Sequence, residues 1–167
     1  MKHPVIVVMG VSGCGKSLIG QRLADRLGLS FVEGDAYHPQ CNVDKMSQGI
    51  PLTDEDRHDW LALLADKLAA ADRQGTGLVL SCSSLKGIYR DQLRSGCASL
   101  QFVYLQGSYD TIKQRMAARQ GHFMPTSLLD SQFGTLEEPL EEPGVAVCDV
   151  RQSPDDLVSD AMAKLSL

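Results

Sequence analysis

The chain has 167 residues, 43% of them hydrophobic and 22% charged, with a formal net charge of -5. That length suits one domain (1–167) with a full core, and the acidic balance excludes a broad nucleic-acid surface, so any basic site must be local. No apolar run approaches the length of a membrane helix and no signal-peptide pattern precedes "VIVVMG", so a cytoplasmic protein without a membrane partner is expected.

In chain order, Val5–Met9 ("VIVVM") is apolar throughout and reads as a strand buried on both faces. "GVSGCGKS" follows at once and fits G-x-x-x-x-G-K-[ST]. "SLIGQRLADRL" continues with helical spacing, which places Leu18, Ile19, Leu23 and Leu27 on one face. Strand, glycine-rich turn and helix form the context of a phosphate-binding loop. Gly10, Gly13 and Gly15 permit the tight turn, and the backbone of Val11, Ser12 and Cys14 completes the cradle at a positive helix end. Lys16 is expected at the β- and γ-phosphates of a nucleotide, and the Ser17 hydroxyl on Mg2+.

"LSFVEGD" reads as a short strand ending in acids, and the segment after Thr53 as a long helix capped by Thr53 with Asp56 three residues on. "GLVLSCS", "LQFVYLQG" and "VAVCDV" are further apolar strands. "LKGIYRDQLRSG", "SYDTIKQRMAARQG", "LLDSQFGTLEEP" and "SPDDLVSDAMAKLSL" read as helices, the last capped by Ser153 with Pro154 in the first position. Alternating helices and uniformly apolar strands predict an α/β fold, a five-stranded parallel sheet covered on both faces. Ligands of such sheets bind beyond the carboxyl ends of the strands.

Three polar clusters fall there. Glu33 and Asp35 follow the second strand, where a carboxylate can take a proton from an attacking hydroxyl or hold Mg2+ through water. Lys86 and Arg90 share a helix face and form a compact cationic site suited to an anionic acceptor such as a carboxylate. Arg115 and Arg119, late in a helix before "GHFMP", have the layout of a lid that carries arginines over the phosphates. Arg57 sits among acids and by itself reads as a surface ion pair, with Trp60 as core.

The five cysteines form no C-x-x-C pair and the four histidines lack metal-ligand spacing, which fits a reducing compartment. Cys82 and Cys148 read as buried thiols, and Cys14 as a small residue within the loop. The rival function is a nucleotide-dependent ATPase or switch. A GTPase needs N-K-x-D, which is absent; the D-x-x-G of Asp72–Gly75 lies at a helix end; "VAVCD" resembles a Walker-B strand but comes over a hundred residues past the loop. A short chain with a lid favours a small-molecule kinase. An acceptor such as shikimate stays open on these residues alone.

The order and spacing of "GVSGCGKS", "GDAYHP", "NVDKMSQGIPLTDEDRHDWL", "CSSLKGIYRDQLR", "RMAARQGHFMP" and "SQFGTLEEP" resemble the gluconokinase family across almost the whole chain. The resemblance implies the nucleoside-monophosphate-kinase-like, shikimate-kinase-like P-loop fold: three α/β/α layers, strand order 2-3-1-4-5 and a small helical lid at about 119–137. It implies phosphorylation of D-gluconate to 6-phospho-D-gluconate with ATP and Mg2+, by a homodimer. Gly10–Ser17 would then bind ATP, with Ser17 also on Mg2+, and Asp35 would lie near the acceptor hydroxyl and the metal. His38, Arg57, Lys86 and Arg90 fall in segments expected to line the sugar-acid site, and His122 of "GHFMP" is grouped with them. Arg115 resembles the arginine that packs on adenine. Lys16, Asp35 and the lid's Arg119 would carry the catalysis.

Overall fold

The computed structural model describes residues 2–118 and 126–167. The elements are β1 (Val5–Met9), α1 (Lys16–Leu27), β2 (Phe31–Glu33), a 3-10 turn (Gly34–Tyr37), α2 (Gln40–Ser47), α3 (Asp54–Gln74), β3 (Leu78–Ser81), α4 (Gly87–Arg94), β4 (Gln101–Gln106), α5 (Tyr109–Ala118), α6 (Thr126–Thr135), β5 (Val145–Asp149) and α7 (Pro154–Lys164). The five strands are parallel in the order β2-β3-β1-β4-β5, as expected. Helices α1 and α7 pack together over the sheet, as do α3 and α4, giving three α/β/α layers.

β1 is the central strand, and no residue in it is more than 2% exposed. Its apolar side chains can point to either face because both faces are covered. Strand β1 therefore cannot shift without disturbing the whole core, and the loop that follows is mounted on the least mobile part of the sheet.

α3 starts where its cap predicts. Thr53 accepts from the Asp56 N–H at 3.0 Å and Asp56 accepts from the Thr53 N–H at 3.0 Å, a complete capping box. The helix then buries Trp60, Leu61, Leu64 and Leu68 along one stripe. Two local expectations change. Leu18 is 49% exposed, and the buried face of α1 is Ile19, Gly20, Leu23 and Ala24. Gly20 lets the helix sit directly on the Phe31 ring, which moves the stripe off Leu18. Helix α2 has no counterpart in the sequence reading, because Asn42 is its one buried residue and no apolar stripe announces it.

The end of β2 is fastened to its neighbours by polar groups. The Gly34 N–H donates to Ser81 Oγ at 3.2 Å, the Ser81 hydroxyl donates to Glu33, and Trp60 Nε1 donates to the Gly34 carbonyl at 2.8 Å. Backbone passes so close here that a Cβ on Gly34 would stand 2.0 Å from the Ser81 carbonyl oxygen. Gly34→Ala must push the turn that carries Asp35 away from β3. It is expected to destabilise the protein by about 1–3 kcal/mol, read from urea unfolding midpoints.

Candidate functional site

β1 delivers the chain into the loop Gly10–Ser17, and α1 begins at Lys16 with Gly15 as its N-cap at φ 98°. That left-handed backbone is why glycine stands there; a Cβ would meet nothing within 4 Å, so space is not the reason. α1 has no side-chain cap and no acid in its first turn, whereas α3 and α7 have both. The first N–H groups of α1 are thus left for an external anion, at the end of the helix that attracts one. Lys16 Nζ lies back over the loop and donates to the carbonyls of Gly10 (3.1 Å) and Val11 (3.0 Å). The Ser17 hydroxyl donates to Glu33.

A cleft of about 600 Å³ opens along this loop. It is lined by Ser12–Leu18, Glu33, Asp35, Arg115 and Ala118, a size suited to a nucleotide. The exposed Leu18 therefore forms part of the cleft wall. Arg115, in the last turn of α5, is braced by a bond from Nη2 to the Val150 carbonyl at 2.6 Å. Cys14 is buried, and burial pushes its thiol up, so it stays protonated.

A smaller recess adjoins the cleft and shares Ser12, Lys16 and Asp35 with it. His38, Arg57, Trp60, Ser83 and Gln132 also line the recess. His38 stacks on Trp60 with centroids 3.9 Å apart, and its Nε2 lies 3.7 Å from the Asp35 carboxylate. The buried Asn42 amide donates to the Asp56 carbonyl at 2.9 Å, so its nitrogen must face that way; the same nitrogen is 3.3 Å from His38 Nδ1. His38 Nδ1 must then accept, which leaves the proton on Nε2 toward Asp35. Burial lowers the His38 pKa against the opposing pull of Asp35, and Arg57 lowers it further. Arg57 donates to the Tyr89 hydroxyl at 2.8 Å, and Tyr89 in turn donates to Asp54.

The fold thus brings the expected Lys16, Asp35, His38 and Arg57 to one place, and Arg115 to the adjoining cleft. The cationic pair differs from its expectation: neither Lys86 nor Arg90 lines the recess. Lys86 is taken by Asp54 at 2.9 Å. Arg90 is 2% exposed, with Nε and Nη2 on Glu142 and Nη1 on the Ser84 carbonyl at 2.8 Å. Glu142 also holds Arg94 at 2.8 Å. The reason is tertiary: α4 turns Arg90 under the segment after α6, whose carboxylate comes from 52 residues away. Arg119 and His122 lie outside the described residues. Sequence reasoning assigned no role to Asn42, Tyr89, Ser83 or Gln132. None belongs to a catalytic pattern, and only the fold gathers them.

The donor set fits a magnesium ion: the Ser17 hydroxyl and the Glu33 and Asp35 carboxylates are hard oxygen ligands at the phosphate end of the cleft. Among the described residues no group of three or more His, Cys, Asp or Glu would hold a metal unaided. That suits an ion held partly by substrate phosphates. Among the described residues no helix is long and apolar enough to cross a membrane.

The family described as an AAA domain matches residues 5–143. A gluconokinase of Gluconobacter oxydans (strain 621H) is 47% identical over 160 residues, which cover 96% of this chain and 90% of that protein. The thermoresistant gluconokinase of Escherichia coli (strain K12) is 43% identical over 161 residues, covering 96% and 92%. Among solved structures, a gluconokinase from Sinorhizobium meliloti 1021 superposes with a TM-score of 0.90 at 48% identity, covering 98% of this chain and 92% of that one.

Burial opposes ionisation of Glu142, but hydrogen bonds from Arg90 and Arg94 outweigh it and hold the pKa below the ordinary 4.5. The pair's contribution to stability is therefore whole above pH 4.5 and is lost as pH falls through the lower folded value. Glu142→Ala leaves the buried Arg90 charge with the Ser84 carbonyl alone, at a cost of about 3 kcal/mol near neutral pH. Urea unfolding is expected to show that loss shrinking toward pH 3, and titration with ATP an affinity within about twofold of the parent.

Proposed function

The chain belongs to the gluconokinase family, and from that membership we propose that its cleft transfers the γ-phosphoryl group of ATP to D-gluconate, giving 6-phospho-D-gluconate. The observation that carries the reading is the meeting of two pockets at Ser12, Lys16 and Asp35. One pocket is an open helix N-terminus shaped for phosphates. The other is a recess lined by Asp35, His38, Arg57 and the indole of Trp60.

The mechanism is in-line transfer. ATP lies along Gly10–Ser17 with its phosphates on the amides at the start of α1, the Ser12 amide staying with Gln132, and Arg115 flanks the base. Lys16 leaves the Gly10 and Val11 carbonyls for the β- and γ-phosphates, a short swing on a flexible stem. Asp35, with the Nε2–H of His38 facing it at 3.7 Å, orients the primary hydroxyl of gluconate and takes its proton. Arg57, fixed by Tyr89, is the cation in the recess for the acceptor carboxylate. Ser17, with Glu33 and Asp35 nearby, would hold Mg2+, which offsets phosphate charge when bound. The lid assignment stays at about 119–137, with Arg119 carrying positive charge to the γ-phosphoryl and His122 at the acceptor; α6, anchored in the core by Leu128 and Leu129, is its fixed base. Lys86 and Arg90 have no part in this mechanism. A cytoplasmic homodimer completes the reading.

A coupled ADP-release assay with ATP and Mg2+ tests the activity, with D-gluconate, shikimate, AMP or no acceptor supplied in parallel. Release with gluconate alone is expected. Equal release in every tube would move the protein to the acceptor-independent ATPases. Asp35→Asn is expected to cut kcat by about 100-fold or more while ATP affinity holds; near-parental turnover would remove Asp35 from the role.

A further inference from the structure

One contact joins parts of the chain 120 residues apart. The backbone N–H of Ser12, in the phosphate loop, donates to Gln132 Oε1 on α6 at 2.7 Å. A backbone N–H can only donate, so the carbonyl end of the Gln132 amide must face the loop. The Nε2 end then faces the other way, and among the described residues it has no partner. Gln132 lines the acceptor recess with Asp35, His38 and Arg57, and does not line the nucleotide cleft.

The helix that carries Gln132 is held firmly. Leu128 and Leu129 are buried in the core, and Phe133 meets Tyr109 edge-on at 5.5 Å. Beyond the helix end, the Glu137 N–H donates to the Leu85 carbonyl at 2.7 Å, and its carboxylate accepts from the Gly87 N–H at 2.8 Å. A side chain on such an element, with one end of its amide already fixed, presents the other end as a preset donor.

We propose that Gln132 is a binding residue for the acceptor: its Oε1 is pinned by the Ser12 N–H, and its Nε2 donates to a secondary hydroxyl of gluconate near the reacting one. The same amide then ties acceptor recognition to the loop segment beside the phosphates. This rests on the reading of the recess as the gluconate site.

The test pairs enzyme and substrate deletions. Gln132→Met keeps the length and removes both polar ends. Gln132→Glu keeps an oxygen for the Ser12 N–H and replaces the donor by a charged acceptor. Both are expected to lower kcat/KM for D-gluconate by about tenfold, with KM for ATP within about twofold. Parent and variants are then compared on gluconates lacking one secondary hydroxyl each. For one deoxy analogue the penalty of substitution should fall sharply, since the hydroxyl that Nε2 served is already gone. A merely structural role for Gln132 would keep its penalty on every analogue, and that result would overturn the proposal. So would a loss confined to KM for ATP. Parent enzyme that fails to phosphorylate gluconate at all would take the functional reading down as well, which separates the two failures.

Discussion

The first N–H groups of α1 have no partner within the helix, and among the described residues no side chain caps them: no serine or aspartate stands at the N-cap and no acid in the first turn. Elsewhere this chain spends side chains on that task, Thr53 and Asp56 at α3 and Ser153 at α7. Leaving one helix end open keeps polar groups and a partial positive charge available to a ligand. It also sets demands on the rest of the fold. The loop must hold its shape without internal caps, so it hangs from β1, the fully buried central strand. Gly15 must take a left-handed backbone, and Lys16 rests on loop carbonyls within its own turn.

The acceptor side is built by a different means. Asp35 is exposed on a short turn after a three-residue strand, a weak support by itself. Its position comes from a polar lattice: Gly34 on Ser81, Trp60 on Gly34, His38 on Trp60 and Asn42 on His38. Hydrogen bonds at Gly34 and His38 and a ring stack between them hold the turn that carries Asp35, and Asn42 fixes the histidine tautomer. The price is intolerance at Gly34, where strand and turn nearly touch.

Charge is distributed with a similar economy. An acidic chain must keep its cations where they are needed, and many are paired with specific carboxylates, among them Lys45 with Asp56, Lys86 with Asp54, and Arg90 and Arg94 with the shared Glu142. Arg57 is held instead by a hydroxyl, from Tyr89, and keeps its charge facing the recess. The difference between Arg57 and Arg90 is not one of residue type or helical spacing. It is the presence of a carboxylate from another segment.

Periodicity and local chemistry by themselves determined the strands, most of the helices, their caps and the phosphate loop, because each depends on residues within one turn or one strand. A capping box spans three residues and a buried parallel strand needs only an unbroken apolar run, so Thr53 and Val5–Met9 declare themselves. The chain's motif order also carried the sheet order, through resemblance rather than pattern. Tertiary structure decided whatever depends on distant partners. It turned Leu18 outward because Gly20 lets Phe31 in, formed α2 around a buried asparagine, and sent Arg90 into the core to meet Glu142. It also set Gln132 against the phosphate loop across 120 residues. A side chain's role here follows from what its neighbours leave unsatisfied, and those neighbours are assembled only when the sheet closes.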